Sequence, residues 1–365
     1  MKKSQKPLKL FVLNTGGTLG MVGNPLEPAK SAEDLLSGLN LPRGIEVKLH
    51  DFPLRQDSTN VMHRDRVEMA RLIKKEYEDF DAFVFFHGTD SLAETCAFES
   101  MCFRLSLQKP VFVIGAQMTK DESGTDVSMQ IENTFRVART FVRKGIVGVF
   151  NVCIGDVLDG ARVRKRNEAD FNAFYTPGRY PIAKAWPHVN IMGGARRIDE
   201  VVAVQGLQLF TEFEQHVCSL DVSADVPPHV LMDLVRAGRL KGIILQCKGA
   251  GNIPDRSWTA EELKDSASYS WIDAIQAAAV AGMHVGIISP FDDGRVILTR
   301  YGLGQKAKDA GALSLESLTP AMADVKFRMA IAMHPDKPKR IQQFLSTNIL
   351  GELLESQEDD EAFED

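Results

Sequence analysis

The 365-residue sequence lacks three features that would each assign it to a class of protein. No apolar stretch approaches the ~18–20 residues that a membrane-spanning helix requires. The five cysteines are odd in number and show no Cys-x-x-Cys spacing, which excludes a simple disulfide framework and a cysteine-rich zinc site and favours reduced thiols. There is no Gly-x-Gly-x-x-Gly run, and no basic residue completes a phosphate loop, so a nucleotide site is not expected.

A surplus of basic residues is also missing, since the formal net charge is −6. Eight acidic residues and no basic ones lie in 352–365, so the rest of the chain is nearly neutral. A nearly neutral chain does not favour general binding to nucleic acid. We interpret residues 346–365 as an acidic tail that is solvated and disordered, with an interaction tail as the alternative.

The first half of the chain alternates short apolar runs with amphipathic segments. The predicted strands are 8–13, Ala82–Phe86, 111–115 and 147–153, and the predicted helices are 64–77, 92–105 and 130–142. This alternation predicts parallel strand pairing with helical crossovers, and hence a doubly wound sheet. Ligands of such sheets bind beyond the carboxyl ends of the strands.

The alternation is lost over 191–215, which we interpret as an interdomain connection, and it resumes at Val217. The strands predicted there are 217–220, Gly242–Gln246 and 284–289, and the helices are 230–237, 271–281 and 319–333. The predicted fold class is therefore α/β, with a larger N-terminal parallel-sheet domain over 1–190 and a smaller C-terminal α/β domain over 216–345.

Two predicted strands end in polar turns that contain glycine. The first turn carries Thr15 before Gly16 and Gly17, and the second is the run from His87 to Asp90. Each turn has an ordinary structural explanation: a threonine that satisfies local backbone groups, a packed histidine, or a Thr89–Asp90 helix cap. The alternative is that the hydroxyls and the carboxylate face a substrate at this edge of the sheet.

The occurrence of both turns, with Lys165 further along the chain, favours the functional alternative. A threonine is a weak nucleophile until another group takes its proton or stabilises its alkoxide. A lysine relayed through a second threonine and an aspartate would serve this purpose. Asp57 and Ser58 add another short polar cluster.

These motifs resemble those of the bacterial-type L-asparaginase and glutaminase family, and the chain is most similar to its cytoplasmic, type I members. The matching segments are the Thr-Gly-Gly-Thr turn at 15–18, the His-Gly-Thr-Asp-Ser turn at 87–91, Asp57-Ser58, Lys165, and the glycine turn at 249–254. The resemblance covers about residues 8–335, nearly the whole chain.

The resemblance implies two asparaginase-like α/β domains, with a left-handed crossover in the N-terminal one. It implies hydrolysis of the side-chain amide of asparagine, or of glutamine as the alternative, to ammonia and the free amino acid, without a metal or organic cofactor. It also implies a homodimer or homotetramer that binds a small molecule. From the charge and the lack of a long apolar stretch we expect no nucleic acid or membrane partner. Because the apolar run 8–13 is too short for a secretory signal, we expect a cytoplasmic protein.

The resemblance also implies roles for the catalytic positions. Thr15 would attack the amide carbon and form an acyl-enzyme, while Thr89, Asp90 and Lys165 would form a proton relay. The expected substrate-binding residues are Asp57, Ser58, Gly88 and Ala116.

One family feature is missing. Family members carry a tyrosine on a mobile loop after the first threonine, whereas Leu26 lies at or near that place within 22–28. Losing a general acid–base group typically costs about 10²–10⁴-fold in rate. A catalytically weak amino-acid-binding or regulatory homologue is therefore an alternative to an asparaginase. The ammonia-donating component of a transamidase that acts on charged tRNA is a further alternative, which the nearly neutral charge of the chain disfavours.

Overall fold

The computed structural model describes residues 6–199 and 206–355. The chain divides into two compact units, with the boundary between Thr211 and Glu212. The predicted tail beyond residue 355 and the part of the predicted connection over 200–205 lie outside the described residues. Within the described ranges, no helix has the length and apolar character needed to cross a membrane.

The first unit contains strands β1–β12 and helices α1–α4. The strands are β1 (Leu8–Gly16), β2 (Met21–Val22), β3 (Glu27–Pro28), β4 (Ile45–Gln56), β5 (Ala82–Phe86), β6 (Pro110–Ile114), β7 (Gly148–Cys153), β8 (Asp156–Asp159), β9 (Arg164–Lys165), β10 (Phe174–Tyr175), β11 (Ala183–Lys184) and β12 (Asn190–Ile191). The helices are α1 (Ala32–Leu36), α2 (His63–Glu76), α3 (Leu92–Phe103) and α4 (Val127–Lys144), with short 3-10 helices at Thr18–Gly20, Ser58–Asn60 and Arg104–Ser106.

Eight strands of the described residues form the main sheet, in the order β12-β11-β8-β7-β6-β5-β1-β4. The five strands from β7 to β4 pair in parallel, as predicted, and β8, β11 and β12 extend the sheet with antiparallel pairings that were not predicted. The chain passes from β1 to β4 on one side and then to β5 on the other side of β1. The left-handed sense of this crossover stays a prediction.

The 12-residue strand β4 was missed altogether. It is an edge strand, so polar residues such as Glu46 and Lys48 alternate with the partly buried Ile45, Val47 and Leu49. A period-2 alternation is the usual signal of a half-buried strand, and it was present in this segment. The central strands β1, β5 and β6 read instead as continuous apolar runs because helices cover both of their faces.

The second unit is a four-stranded parallel sheet with helices. Its strands are β13 (Val217–Asp221), β14 (Gly242–Gln246), β15 (His284–Ile288) and β16 (Leu313–Ser314), paired in that order. Its helices are α5 (His229–Ala237), α6 (Ala260–Leu263), α7 (Trp271–Val280), α8 (Gly302–Asp309), α9 (Pro320–Met333) and α10 (Pro338–Ser346). The predicted α/β class is confirmed for both units, while α6, α8, α10 and β16 were not predicted.

The structure corrects the interpretation of 346–365 as a wholly solvated tail. Glu352 is fully buried, and its Oε1 lies 2.6 Å from Nζ of the equally buried Lys326 on α9. Glu352 also accepts main-chain hydrogen bonds from Ile349 and Leu350. A carboxylate can be buried when it is paired with a cation and hydrogen-bonded. The prediction from composition treated every acidic residue of this segment as solvated, because composition does not show such a partner.

The predicted connection 191–215 keeps contacts with the first unit at several points. Ile191 belongs to β12, and the main-chain N–H of Phe210 donates to the carbonyl of Cys102 at 2.8 Å. Gln208 and Ser106 also exchange hydrogen bonds. The described part of this segment up to Thr211 therefore belongs to the first unit, and 212–215 belong to the second. The domain limits proposed from the sequence stay predictions.

Candidate active site

Two glycine turns pack directly against each other at the carboxyl edge of the main sheet. β1 runs through Thr15, and Gly16 and Gly17 have φ angles of +104° and +89°. A Cβ on Gly17 would lie 2.3 Å from both N and Cα of Gly88. The left-handed backbone and this close approach both require glycine. The turn that follows β1 is thereby fixed against the turn that follows β5.

Asp57 and Ser58 reach the same edge from the end of β4. The pairing of β1 with β4 becomes irregular there and places Gly16 opposite Gln56. Ser58 is 2% exposed, and a Cβ on Gly88 would lie 2.6 Å from its Oγ. The Asp57 carboxylate caps the 3-10 helix that follows, accepting a main-chain N–H at 2.8 Å. The structure thus brings three predicted binding residues together.

Lys165 joins the second turn through two hydrogen bonds. Its Nζ donates to Thr89 Oγ1 at 2.9 Å and to Asp90 Oδ1 at 2.6 Å. The Lys165 side chain is 18% exposed and that of Asp90 is 59% exposed, so the cluster opens to solvent on the Asp90 side. Ser91 holds the N-cap position of α3, and therefore neither Thr89 nor Asp90 caps that helix.

The hydroxyl of Thr15 is buried and bound to the neighbouring strand. Thr15 is 2% exposed, and its Oγ1 donates to the main-chain oxygen of Phe86 at 2.9 Å. Leu26 lies between β2 and β3, in a small hairpin, and is 49% exposed. A leucine side chain has no polar atom, so this position supplies no proton donor or acceptor to Thr15.

The loop after β6 borders the Lys165 cluster. A Cβ on Gly115 would lie 2.9 Å from Cγ2 of Thr89, and the adjacent Ala116 is 2% exposed. The buried carboxylate of Asp126 holds this loop by accepting the main-chain N–H of Gln117 at 3.1 Å. Ala116 therefore lies in a fixed loop beside Thr89, and its part in lining the pocket stays a prediction.

His87 is fully buried and hydrogen-bonded, as the structural interpretation of this histidine predicts. Its Nδ1 lies 2.7 Å from the oxygen of Gly88, and its Nε2 lies 3.0 Å from Thr95 Oγ1. Burial lowers the pKa of His87 to about 4 against the opposing hydrogen bond to Gly88. The ring is therefore neutral at physiological pH.

Two arginines close to Lys165 in sequence have their own partners. Arg162 is fully buried, which rules out a solvated side chain, and its Nε donates to the oxygen of Pro177 at 3.2 Å. Arg166 donates to the oxygen of Asn172 at 3.2 Å and lies 5.5 Å from the ring of Tyr175. These contacts hold the segment that carries Lys165 against the loop that follows it.

A cleft of about 520 Å³ opens beside the cluster. It is lined by Asp90, Lys165, Arg166, Asn167 and Glu168. Asn167 and Glu168 were not predicted, because no motif marks them in the sequence. Over residues 6–199 and 206–355, no three His, Cys, Asp or Glu side chains are grouped so that they could hold a metal ion.

Comparison with known proteins assigns both units to one family. Residues 9–194 match the family model described as "Asparaginase, N-terminal", and residues 216–345 match "Glutaminase/Asparaginase C-terminal domain". These matches cover most of the chain, and the chain belongs to the asparaginase/glutaminase family.

Three curated relatives illustrate the range of this family. The chain is 28% identical to the L-asparaginase of Thermococcus kodakarensis, over 96% of this chain and 100% of the relative, and 26% identical to L-asparaginase 1 of Escherichia coli K12, over 94% and 97%. It is also 28% identical to one component of the glutamyl-tRNA(Gln) amidotransferase of Pyrococcus abyssi, over 94% of this chain and 76% of the relative. The solved structure of the thermostable L-asparaginase from Thermococcus kodakarensis superimposes with a TM-score of 0.82 at 26% identity, covering 96% and 100% of the two chains.

Proposed function

We propose that the protein is an L-asparagine amidohydrolase that hydrolyses the side-chain amide to L-aspartate and ammonia. The observation that carries this proposal is that Lys165 binds Thr89 and Asp90 together, on a turn packed against the turn of Thr15. This arrangement places two hydroxyls, an amine and a carboxylate at one sheet edge. Acyl transfer requires these groups: a nucleophile, a base with its relay, and an anchor for a charged substrate.

In the first half of the proposed reaction, Thr15 Oγ1 forms a bond to the amide carbon. Its proton passes to the relay of Thr89, Lys165 and Asp90, and the amide oxygen becomes an oxyanion that main-chain N–H groups such as that of Thr89 stabilise. When the carbon–nitrogen bond breaks, the relay returns a proton and ammonia leaves. Thr15 then carries an aspartyl ester.

In the second half, water attacks the ester carbon and gives a proton to Thr89, which passes its own hydroxyl proton on along the relay. The bond to Thr15 Oγ1 breaks, the threonine regains its proton, and aspartate is released. The Asp57 carboxylate suits the α-ammonium group of the substrate, and Ser58 with the Gly88 main chain suits the α-carboxylate. Asp90 shares the ammonium group on the exposed side of the cluster.

Two observations favour a second candidate, a catalytically weak protein that binds an amino acid. The Thr15 hydroxyl donates to the Phe86 carbonyl rather than to a base, and the Leu26 side chain, in the hairpin after β1, has no polar atom. Glutamine is the alternative substrate, because one methylene is worth only about 1–3 kcal/mol of discrimination. Assembly as a homodimer or homotetramer is part of the proposal, on the basis of the family.

The test is ammonia release from asparagine and from glutamine by the wild-type protein and by Thr15→Ala. Thr134→Ala is the matched control, because Thr134 is a buried threonine that donates only to the oxygen of Gln130 within α4. Release from asparagine that is lost in Thr15→Ala and kept in Thr134→Ala supports the proposal. No release from either amide, while asparagine still raises the Tm, favours the binding protein instead.

A further inference from the structure

A chain of polar side chains crosses the apolar interior behind the second turn. It runs from Arg66 on α2 to Thr95 on α3 and on to His87, and these residues are 5%, 0% and 0% exposed. Arg66 Nε donates to Thr95 Oγ1 at 3.0 Å, and the same oxygen lies 3.0 Å from His87 Nε2. The chain ends where His87 Nδ1 lies 2.7 Å from the oxygen of Gly88.

The contacts leave one consistent arrangement of protons along this chain. A carbonyl oxygen only accepts, so His87 Nδ1 carries the hydrogen and donates to Gly88. In a neutral ring Nε2 is then an acceptor, and it takes the hydroxyl hydrogen of Thr95. That hydroxyl oxygen in turn accepts from Arg66, whose guanidinium can only donate. Every hydrogen bond therefore points from Arg66 toward the turn.

The turn that receives this chain carries several groups of the proposed active site. The Phe86 oxygen accepts the hydroxyl of Thr15, and the main-chain N–H of His87 donates to Ile114 at 2.8 Å. Gly88 comes next in the sequence, followed by Thr89, whose hydroxyl accepts a hydrogen bond from Lys165. The hydrogen bond from His87 to the Gly88 oxygen thus fixes the Gly88–Thr89 peptide. This peptide follows Phe86, whose oxygen binds the Thr15 hydroxyl, and precedes the Thr89 side chain, which binds Lys165.

We propose that Arg66, Thr95 and His87 are positioning residues that lock one tautomer of His87 and thereby hold the Gly88–Thr89 peptide in its catalytic orientation. With the hydrogen on Nε2 instead, a lone pair of Nδ1 would face the Gly88 oxygen, and two acceptors at hydrogen-bond distance repel each other. This repulsion would push the turn out of place. Because Gly88 has no free space beside Gly17 and Ser58, the shift would also disturb these two neighbours. The expected effect on kcat rests on the proposed amidohydrolase function, whereas the assignment of the His87 tautomer does not depend on it.

Thr95→Val tests the chain, because it keeps the shape of the side chain and removes the hydroxyl that links Arg66 to His87. Thr134→Val is the matched control, a buried helical threonine with the same substitution away from the site. Thr95→Ser restores the hydroxyl. Arg66→Met breaks the same chain from α2 and serves as the second variant if Thr95→Val does not fold.

The first readout is the ¹⁵N spectrum of the histidine rings. All eight histidines lie in the described residues, and His87 is the one that is fully buried. Its signals are assigned as those missing from the spectrum of His87→Asn, and they should keep the neutral form between pH 5 and 8, because burial lowers the pKa of His87 to about 4. We expect a single neutral form with the hydrogen on Nδ1 in the wild type, in Thr134→Val and in Thr95→Ser. We expect a shifted Nε2 signal and a second tautomer in Thr95→Val.

The second readout separates kcat from KM for asparagine. We expect Thr95→Val to lower kcat by about 10–100-fold, and Thr95→Ser to recover most of the loss. KM should change by a smaller factor, because Asp57 and Ser58 do not belong to the chain and still bind the substrate when the Gly88 main chain shifts. An unchanged His87 spectrum in folded Thr95→Val and Arg66→Met overturns the proposal, as does an unchanged kcat despite a changed spectrum. If the wild type releases no ammonia, the proposed function fails while the His87 spectrum still decides whether the chain sets the tautomer.

Discussion

A Cβ on Gly17 would lie 2.3 Å from the Cα of Gly88, so the turns after β1 and β5 touch through their backbones. This contact is the structural basis of the site, because it sets the separation between the segment of Thr15 and the segment of Thr89. Side chains at either glycine would force the two turns apart. The same edge also receives Ser58, whose Oγ faces Gly88.

We predict that Gly88→Ala lowers kcat/KM for asparagine by at least about 100-fold, because a displacement near 1 Å can cost that much. The added Cβ would lie 2.6 Å from Ser58 Oγ and 2.7 Å from its Cβ, so one of the two turns must move. Gly302→Ala is the control, since a Cβ there meets nothing within 4 Å. Steady-state kinetics of both variants check the prediction, and wild-type kinetics in Gly88→Ala would contradict it.

We predict that Lys165→Met lowers kcat by about 10²–10⁴-fold, the usual loss when a general acid–base group is removed. Lys165→Arg should not restore activity, because a guanidinium stays protonated and cannot act as a base. Lys184→Met, which removes a surface lysine paired with Asp156, is the control. Ammonia release measured on all three variants decides, and full activity in Lys165→Arg would argue against the relay.

We predict that Glu99→Gln stabilises the protein, and more so at pH 8 than at pH 5. Glu99 is fully buried on α3, neither carboxyl oxygen has a hydrogen-bond partner among the described residues, and burial raises its pKa well above the ordinary value, with Arg66 opposing the shift. Glu99 therefore keeps its proton in the native state, whereas in the unfolded chain it loses that proton above about pH 4.3. Because the native state then binds more protons than the unfolded state, wild-type stability falls as the pH rises from about 4.3 through the raised pKa of Glu99.

The glutamine variant lacks that proton equilibrium, and the difference in Tm between variant and wild type should grow with pH. Thermal unfolding of both proteins at pH 5, 6.5 and 8 measures it. Glu132→Gln on α4 is the control. The Glu132 carboxylate is partly exposed and accepts a hydrogen bond from the main-chain N–H of Asn40, unlike the carboxyl group of Glu99. A difference that stays constant with pH would show that Glu99 has the same pKa in both states.

We predict that Lys326→Met destabilises the second unit by about 3–5 kcal/mol, since it leaves the buried carboxylate of Glu352 without its partner. Lys326 also donates to the oxygens of Leu345 and Thr347, at the C-terminal end of α10. Adding Glu352→Gln to Lys326→Met should recover part of the loss, because no unpaired charge is then buried. Denaturant unfolding of both variants checks this, and additive losses would contradict it.

The sequence by itself determined the fold class and marked the candidate site residues, whose roles stay predictions. Continuous apolar runs define the buried central strands, and helical periodicity defines α2, α4 and α7, because both patterns reflect which faces are covered. The motifs around Thr15 and Thr89 attracted attention because each lies where a predicted strand ends, at the edge where sheets of this kind bind their ligands. These are local signals that need no knowledge of distant partners.

Only the tertiary structure decided which of these residues meet, and how. The irregular end of the unpredicted strand β4 brings Ser58 against Gly88, and the hairpin of β9 brings Lys165 to Thr89 across 76 positions of sequence. The burial of Glu352 beside Lys326 was likewise invisible, because the charge of a side chain does not reveal whether a partner lies within hydrogen-bond distance. Long-range pairing depends on chain path and register, which no local pattern of residues specifies.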